Sequence, residues 1–177
     1  MALAPVIFTQ KYDFETVNVW GHIYPEPAAG PVSTSELSSE QAASGKKSLM
    51  WSISFPDDTQ AKTWRLKFFS EKFNYTKPVR AIKFQLYGND SGASFNLRVR
   101  DKTGECWYGQ TLKIDWTGWR EIVWNLHSTP LPRITGGNAN RVMDPPLEMI
   151  LEGIFPRPAG GAPLVLYVDD LEIAFIE

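Results

Sequence analysis

The chain has 177 residues and a formal net charge of −2; this length suits one domain, and this charge gives no electrostatic reason to expect nucleic acid or an anionic membrane as a partner. Its one cysteine, Cys106, excludes an internal disulfide, and no apolar run is long enough for a transmembrane helix. Residues 1–8 lack the basic start and the long apolar stretch of a signal peptide, so we expect any secretion signal to lie outside this chain.

Period-two alternation of apolar and polar residues is the main local pattern, and it predicts β-strands that turn one side to a core. The clearest example alternates Ile82, Phe84 and Leu86 with more polar neighbours. Aromatic residues favour strands, and the 13 prolines and 13 glycines punctuate them. In chain order, we predict strands over residues 12–15, 48–55, 63–69, 82–87, 95–100, 106–111, 120–125, 148–155 and 164–176.

Clusters of turn-forming residues separate these strands. Residues 88–92 (Gly-Asn-Asp-Ser-Gly) predict a hairpin loop between two neighbouring strands, and residues 101–104 predict a second tight turn. Residues 24–43 and 128–146 predict long surface loops, which are often functional in compact domains. About nine strands with frequent turns, and no internal repeat, predict one all-β domain over residues 1–177, a jelly-roll β-sandwich.

The common sequence signatures of catalysis are missing. His22 and His127 are the only histidines and lack metal-ligand spacing, and no zinc-protease, nucleophile-elbow or phosphate-loop motif occurs. A glycosidase uses two carboxylates at a defined separation, which a sequence does not measure. We therefore predict a non-catalytic domain, with a jelly-roll glycosidase or polysaccharide lyase as an alternative.

Four carboxylates lie near the two ends of the predicted domain. Asp13 and Glu15 belong to its opening segment, and Asp169 and Asp170 belong to its last strand. Terminal strands often pair in sandwiches, and such pairing would bring Glu15 near Asp169 or Asp170. Carboxylate and carbonyl oxygens are the ligands that calcium takes. The residues alone leave two alternatives open, a calcium site and a plain polar cluster at the sheet edge.

The tryptophans divide by their position in the alternating strands. Trp51, Trp64 and Trp124 share parity with apolar neighbours, so we predict that they lie in the core. The same criterion leaves four others unassigned, namely Trp20, Trp107, Trp116 and Trp119.

Outward-facing residues of two predicted strands form a candidate binding patch. In residues 82–87 and in residues 95–100, every second side chain points outward, and these outward side chains are polar apart from one aromatic. We expect the two sets to share a face because the strands are predicted to be neighbours. An aromatic ring offers a flat face to a sugar, and polar groups bond its hydroxyls. An ordinary solvated sheet face is the alternative. The patch consists of Gln85, Tyr87, Asn96, Arg98 and Arg100.

Five short segments, taken in order, resemble one known group of domains. They are Asp-Phe-Glu at 13–15, Ala-Ser-Gly-Lys-Lys-Ser-Leu at 43–49, Leu-Arg-Val-Arg-Asp-Lys-Thr-Gly at 97–104, Trp-Thr-Gly-Trp-Arg at 116–120 and Leu-Tyr-Val-Asp-Asp-Leu at 166–171. Their order and spacing resemble the galactose-binding-like β-sandwich carbohydrate-binding modules of bacterial polysaccharide-degrading enzymes. The resemblance covers nearly the whole chain and implies a jelly roll of two antiparallel sheets.

The resemblance also implies one structural calcium ion between the first and last strands. Such an ion would stabilise the fold and take no part in chemistry. By matching position its ligands would be Glu15 and Asp170, with Asp13 or Asp169 as alternates, and a carbonyl near Lys46 or Lys47.

A glycan site on the concave sheet face, or in the loops at one end, is a further implication of the resemblance. The face would carry the patch above, joined by Tyr108 and Gln110 on a nearby strand. Trp20, His22 and Tyr24 in the first long loop could form its rim. Two arginines could favour acidic sugars because guanidinium groups match carboxylates, although they also bond neutral hydroxyls.

The function that this resemblance implies is that of a secreted module within a larger enzyme. It would target an attached glycoside hydrolase to a polysaccharide of the plant cell-wall β-glycan type, with weak affinity offset by proximity to the substrate. We expect a monomer. A protein-interaction sandwich without a glycan ligand is another alternative, since a fold alone does not define a function.

Overall fold

A computed structural model of the chain describes residues 7–20, 22–25, 31–55, 63–109, 111–126 and 133–176, with the backbone alone for residues 7–8, 22–25, 63–74 and 133. The described residues form strands separated by short connections. The strands are β1 (Ile7–Tyr12), β2 (His22–Pro25), β3 (Val32–Ser38), β4 (Ser48–Ser54), β5 (Thr63–Tyr75), β6 (Val79–Asn89), β7 (Ser94–Arg100), β8 (Cys106–Tyr108), β9 (Leu112–Lys113), β10 (Thr117–Asn125), β11 (Arg133–Thr135), β12 (Leu147–Pro156) and β13 (Leu164–Ile176).

These strands form two antiparallel sheets. The first sheet has the order β10-β6-β13-β4-β3, with β1 also paired to β13, and the second has the order β11-β8-β7-β12-β5-β2, with β9 beside β7. The prediction of an all-β fold with two antiparallel sheets is confirmed. A 3-10 turn at Ala159–Gly161 is the only helical element of the described residues, and none of their helices could cross a membrane.

The core lies between the two sheets because strands such as β6, β7 and β13 turn one apolar parity inward. The predicted inward set of β6 is buried, and Leu97 of β7 and Leu166 of β13 lie in the same cluster. Each large apolar side chain buried in this way stabilises the fold by about 1.5–3 kcal/mol. The residues of opposite parity therefore form the outer face of each sheet, which we call the first-sheet face and the second-sheet face.

Two tryptophans pack against each other inside this core. Trp20 and Trp51 are each 1% exposed, and their rings meet edge to face with centroids 5.3 Å apart. The predicted burial of Trp51 and of Trp124 is confirmed, and the side chain of Trp64 lies outside the described residues. The expectation that Trp20 lies on the rim of a binding site is wrong, because its ring fills the interior.

The connection at residues 88–92 is not a hairpin. β6 pairs with β10 and β13 in the first sheet, whereas β7 pairs with β12, β8 and β9 in the second. The chain therefore crosses from one sheet to the other at this point. Since β6 and β7 both turn their apolar sides to the shared core, their polar sides lie on opposite faces of the sandwich.

Two further predictions about strands are wrong. The predicted loop over residues 24–43 contains β3, which pairs with β4 along its whole length, and the Ser35 hydroxyl donates to the carbonyl oxygen of Trp20. The predicted strand over residues 12–15 is replaced by β1, which ends at Tyr12. The chain turns at Phe14, whose φ of 55° is left-handed and incompatible with a continuing strand.

Candidate functional site

Arg98 of β7 is the centre of the second-sheet face. Its residue is 9% exposed, and its Nη1 donates to the hydroxyl of Tyr108 at 3.1 Å and to Oε2 of Glu152 at 3.0 Å. Its guanidinium carbon lies 5.5 Å from the centroid of the Tyr108 ring, within the range of a cation–π contact. These contacts come from β8 and β12, the two strands that flank β7. They fix the orientation of both the guanidinium and the aromatic ring.

Two neighbours extend this arrangement along β7. Arg100 donates from Nε to Oε2 of Glu148 at 2.8 Å, and its Nη2 also contacts that oxygen. The Thr111 hydroxyl donates to Oδ1 of Asn96 at 2.8 Å, which leaves the amide NH2 group of Asn96 as a donor. We call Asn96, Arg98, Arg100, Tyr108, Glu148 and Glu152 the second-sheet cluster.

The charges of the second-sheet cluster are balanced. Arg100 pairs with Glu148 directly across β7 and β12, and Arg98 pairs with Glu152 diagonally across the same two strands. An arginine that already bonds a carboxylate attracts an acidic ligand less than a free one does. The cluster therefore suits a neutral hydroxylated ligand better than an acidic one, which weakens the expectation that the arginines favour acidic sugars.

The strand register places β2, which carries His22 and Tyr24, in the same sheet as Arg98. His22 of β2 pairs with Phe69, Phe69 with Ile150, and Ile150 with Arg98. Tyr24 lies on the neighbouring row. With about 4.8 Å between adjacent strands, the row from β2 to β8 spans about 19 Å. The side chains of His22 and Tyr24, and all of Gln110, lie outside the described residues.

Gln85 and Tyr87 are not part of that arrangement. They lie on β6 and face outward from the first sheet, so the predicted five-residue patch is divided between the two faces. Tyr87 contacts the ring of Trp119 edge to face at 5.3 Å and the ring of Tyr167 at 5.9 Å. We call these three rings the aromatic row. The position of Trp119 in the alternating sequence does not show whether it is buried. The cross-strand register locates it on the first-sheet face, because Trp119 lies opposite Tyr87.

A surface cavity of about 470 Å³ lies beside the aromatic row on the first-sheet face. Residues from β1, β6, β10 and β13 and from the turn after β1 form its walls. The lining is mostly polar and charged. It consists of Lys11, Tyr12, Asp13, Lys83, Phe84, Gln85, Glu121, Asp170, Leu171 and Glu172.

The carboxylates proposed as calcium ligands accept hydrogen bonds from the loop that precedes β4. Oε1 of Glu15 accepts from the backbone N–H groups of Lys46 and Lys47 at 2.6 and 3.0 Å. Oδ2 of Asp169 accepts from the N–H groups of Ala43 and Ser44 at 2.8 and 3.1 Å. These four hydrogen bonds join the opening segment and the last strand to one loop, and the pairing of β1 with β13 joins those two segments to each other.

These surroundings shift the two acids in opposite directions. The amide N–H groups of Lys46 and Lys47 stabilise the charged form and lower the pKa of Glu15. Burial raises the pKa of Asp169, and the amides that bond its carboxylate offset only part of that effect.

The geometry does not gather these acids around a common point. Asp13 Oδ1 accepts from the N–H of Glu15, and Asp170 Oδ1 accepts from the hydroxyl of Ser44. Within the described residues no group of three or more His, Cys, Asp or Glu side chains could hold a metal ion. One carboxylate oxygen each of Glu15 and Asp169 already accepts from backbone N–H groups, so the residues as arranged are a poor fit for calcium. Calcium binding by Glu15, Asp170, Asp13 or Asp169 stays a prediction.

Strand order, two antiparallel sheets and polar outer faces define a β-sandwich of the kind found in carbohydrate-binding modules. The family 11 carbohydrate-binding module of the cellulosomal cellulase Lic26A-Cel5E of Clostridium thermocellum matches with a TM-score of 0.55 and 16% identity, over 98% of this chain and 95% of that chain. A second structure holds a family 11 module of that organism with a β-1,3-1,4-mixed-linked tetrasaccharide; it matches with a TM-score of 0.55 and 15% identity, over 97% and 96% of the two chains.

A module from another family has the same architecture. The CBM22-1 xylan-binding domain of Paenibacillus barcinonensis Xyn10C matches with a TM-score of 0.54 and 14% identity, over 100% of this chain and 99% of that chain. At these identities the likeness shows the fold. No family model and no curated protein matches the sequence. The predicted resemblance to β-sandwich carbohydrate-binding modules is confirmed at the level of the fold.

Proposed function

We propose that this chain is a non-catalytic carbohydrate-binding module whose glycan lies across the second-sheet face. The observation that carries the proposal is the fixed position of Arg98, whose guanidinium is held by Tyr108 and Glu152 in an almost buried setting. The fold shared with solved modules supports it.

The second-sheet cluster supplies the two kinds of contact that a sugar chain needs. Tyr108 contributes an aromatic surface, and Asn96 and the two arginines contribute hydrogen-bond donors. Because ion pairs hold both arginines, little side-chain entropy is lost when a ligand arrives. The row of about 19 Å from β2 to β8 has room for an extended chain rather than one isolated ring.

The proposed ligand is a neutral β-glycan of the plant cell wall. The balanced charges of the cluster disfavour an acidic chain, and the neighbouring folds include a module with a mixed-linkage tetrasaccharide and a xylan-binding domain. We propose that the domain is secreted, is attached to a glycoside hydrolase and raises the local concentration of substrate around it.

A screen of the purified domain against soluble and insoluble polysaccharides tests this function. Xylan, mixed-linkage β-glucan, xyloglucan, mannan, cellulose and pectin cover neutral and acidic chains, and product analysis of the same samples tests for turnover. We expect binding to a neutral chain without released sugars. Released sugars would replace the module with an enzyme, and absence of binding throughout would favour a protein-interaction domain.

Variants then locate the site. Asn96→Ala and Arg100→Ala each remove donors from the second-sheet cluster, so we expect glycan affinity in calorimetry to fall about tenfold per variant. Thr34→Ala, at an exposed position of β3 in the other sheet, is the control and should bind as the unmodified protein does. Unaltered binding in both cluster variants would move the site elsewhere.

A further inference from the structure

We infer a second glycan-binding site on the first-sheet face, formed by the aromatic row and the cavity beside it, with a neutral oligosaccharide as its ligand. The ligand class rests on the proposed function, whereas the location does not. Two of the residues predicted to bind sugar, Gln85 and Tyr87, lie at this second site and not with the other three.

The aromatic row supplies the stacking surface. Trp119, Tyr87 and Tyr167 occupy directly opposed positions on three adjacent strands, β10, β6 and β13. Trp119 and Tyr87 are partly exposed, whereas Tyr167 is buried and donates to Oε2 of Glu40. Their edge-to-face contacts fix the rings, so the partly exposed Trp119 and Tyr87 form a rigid aromatic surface next to Gln85 and Glu121 of the cavity lining.

Polar side chains whose hydrogen-bonding groups are unused in the described part of the chain lie next to this aromatic surface. Gln85 and Glu121 are directly opposed, two positions along the strands from Tyr87 and Trp119 and so about 7 Å away on the same face. Among the described residues neither side chain has a hydrogen-bond or ion-pair partner. An amide beside a carboxylate offers one donor group and several acceptor oxygens, which suits adjacent sugar hydroxyls.

The charges of the cavity select against an acidic ligand. Its two lysines already contact one carboxylate, since Nζ of Lys11 lies 3.2 Å and Nζ of Lys83 lies 3.5 Å from Oε2 of Glu172. The other acids of the lining, Glu121 among them, are left without a lysine partner inside the cavity. A uronic acid would therefore meet net negative charge, whereas a neutral sugar would meet acceptors for its hydroxyls. The volume of about 470 Å³ lies within the usual range for ligand sites.

The two sites lie on opposite sides of the core, so their effects are separable. Calorimetry with a mixed-linkage β-glucan tetrasaccharide or with xylotetraose should give two ligands per protein. Asn96→Ala combined with Arg100→Ala should leave one. From that protein, Glu121→Ala and Trp119→Ala should each weaken the remaining site at least about fivefold, and Thr34→Ala should not. A galacturonic acid tetramer should not bind there.

The outcomes separate the two proposals. One ligand per protein, lost with the second-sheet variants and unaffected by Glu121→Ala and Trp119→Ala, would overturn the second site and leave the proposed function standing. No binding of any neutral oligosaccharide would overturn both. Glu121 is exposed, so its variant keeps the test valid if Trp119→Ala fails to fold.

Discussion

Nη1 of Arg98 lies 3.0 Å from Oε2 of Glu152, and the side chains of these two residues are only 11% and 15% exposed. A partly desolvated pair of this kind contributes little net stability when intact, but breaking it leaves an uncompensated charge. The neighbouring pair of Arg100 and Glu148 has side chains that are 40% and 35% exposed, so solvent screens it more strongly.

The two ion pairs therefore predict unequal costs. We expect Glu152→Ala to lower the free energy of unfolding by about 3 kcal/mol because it strands Arg98. The matched control, Glu148→Ala, should cost less than about 1 kcal/mol. Urea unfolding followed by tryptophan fluorescence measures both values. Equal costs would contradict the view that burial separates the two pairs.

The contact between Glu15 and the loop before β4 predicts acid sensitivity. The amides of Lys46 and Lys47 lower the pKa of Glu15 below the unfolded value of about 4.3, so its contribution is present above that pH and is lost as pH falls through the folded pKa. Glu15→Gln keeps an acceptor oxygen but does not titrate. We expect its urea midpoint to change less than that of the unmodified protein between about pH 6 and about pH 3.

The pKa of Asp169 is raised rather than lowered, so its contribution to stability changes with pH in the opposite direction to that of Glu15. Its raised pKa means that its contribution falls as pH rises from about 3.9 through the folded pKa. Glu15→Gln leaves Asp169 in place, so the difference between the two proteins isolates Glu15. Parallel pH profiles would contradict a role for the Glu15 carboxylate.

Calcium dependence is tested by thermal melts in calcium and in a chelator. The sequence-based prediction expects a higher Tm with calcium, because a ligand that binds only the folded state stabilises it. The hydrogen bonds of Glu15 and Asp169 to backbone amides lead us to expect coincident melts instead. A rise in Tm with calcium that Asp170→Asn abolishes would establish the predicted site.

Tyr167 predicts a loss of stability at alkaline pH. Burial, followed by the hydrogen bond to Glu40, raises the pKa of Tyr167 to about 12. The unfolded value is about 10, so the contribution is complete below that pH and decreases between about pH 10 and about pH 12. Urea unfolding at about pH 9 and about pH 11 should show a smaller decrease for Tyr167→Phe than for the unmodified protein. Equal decreases would place the titration elsewhere.

Much of the fold could be predicted from strand periodicity. β6 and β7 alternate apolar and polar residues and lie where that pattern predicts them, and β10, β12 and β13 overlap the strands predicted over residues 120–125, 148–155 and 164–176. β3 was missed because its sequence, Val-Ser-Thr-Ser-Glu-Leu-Ser, is polar on both sides. An edge strand pairs through its backbone, as β3 does with β4, and needs little apolar alternation.

The candidate site was harder to predict. Alternation shows which side chains of a strand face outward, but it does not show which strands lie beside it. Gln85 and Arg98 both face outward, as predicted, yet a sheet crossing at residues 88–92 separates them. Trp20 lies between strands, where parity gives no guidance, and the structure is needed to show that its ring is buried against Trp51. Tyr108 and Glu152 contact Arg98 because β8 and β12 flank β7, and periodicity in the sequence does not give this strand order.

The antiparallel pairing of β1 with β13 places Ile7 opposite Ile176. Paired residues lie about 5 Å apart, so the two ends of the described sandwich meet at one place. A short linker could join them, and a circularly permuted chain opened at residues 90–92, between β6 and β7, would keep every described strand pair of both sheets. Segments that continue from Ile7 and from Ile176 would therefore leave the described sandwich at neighbouring positions.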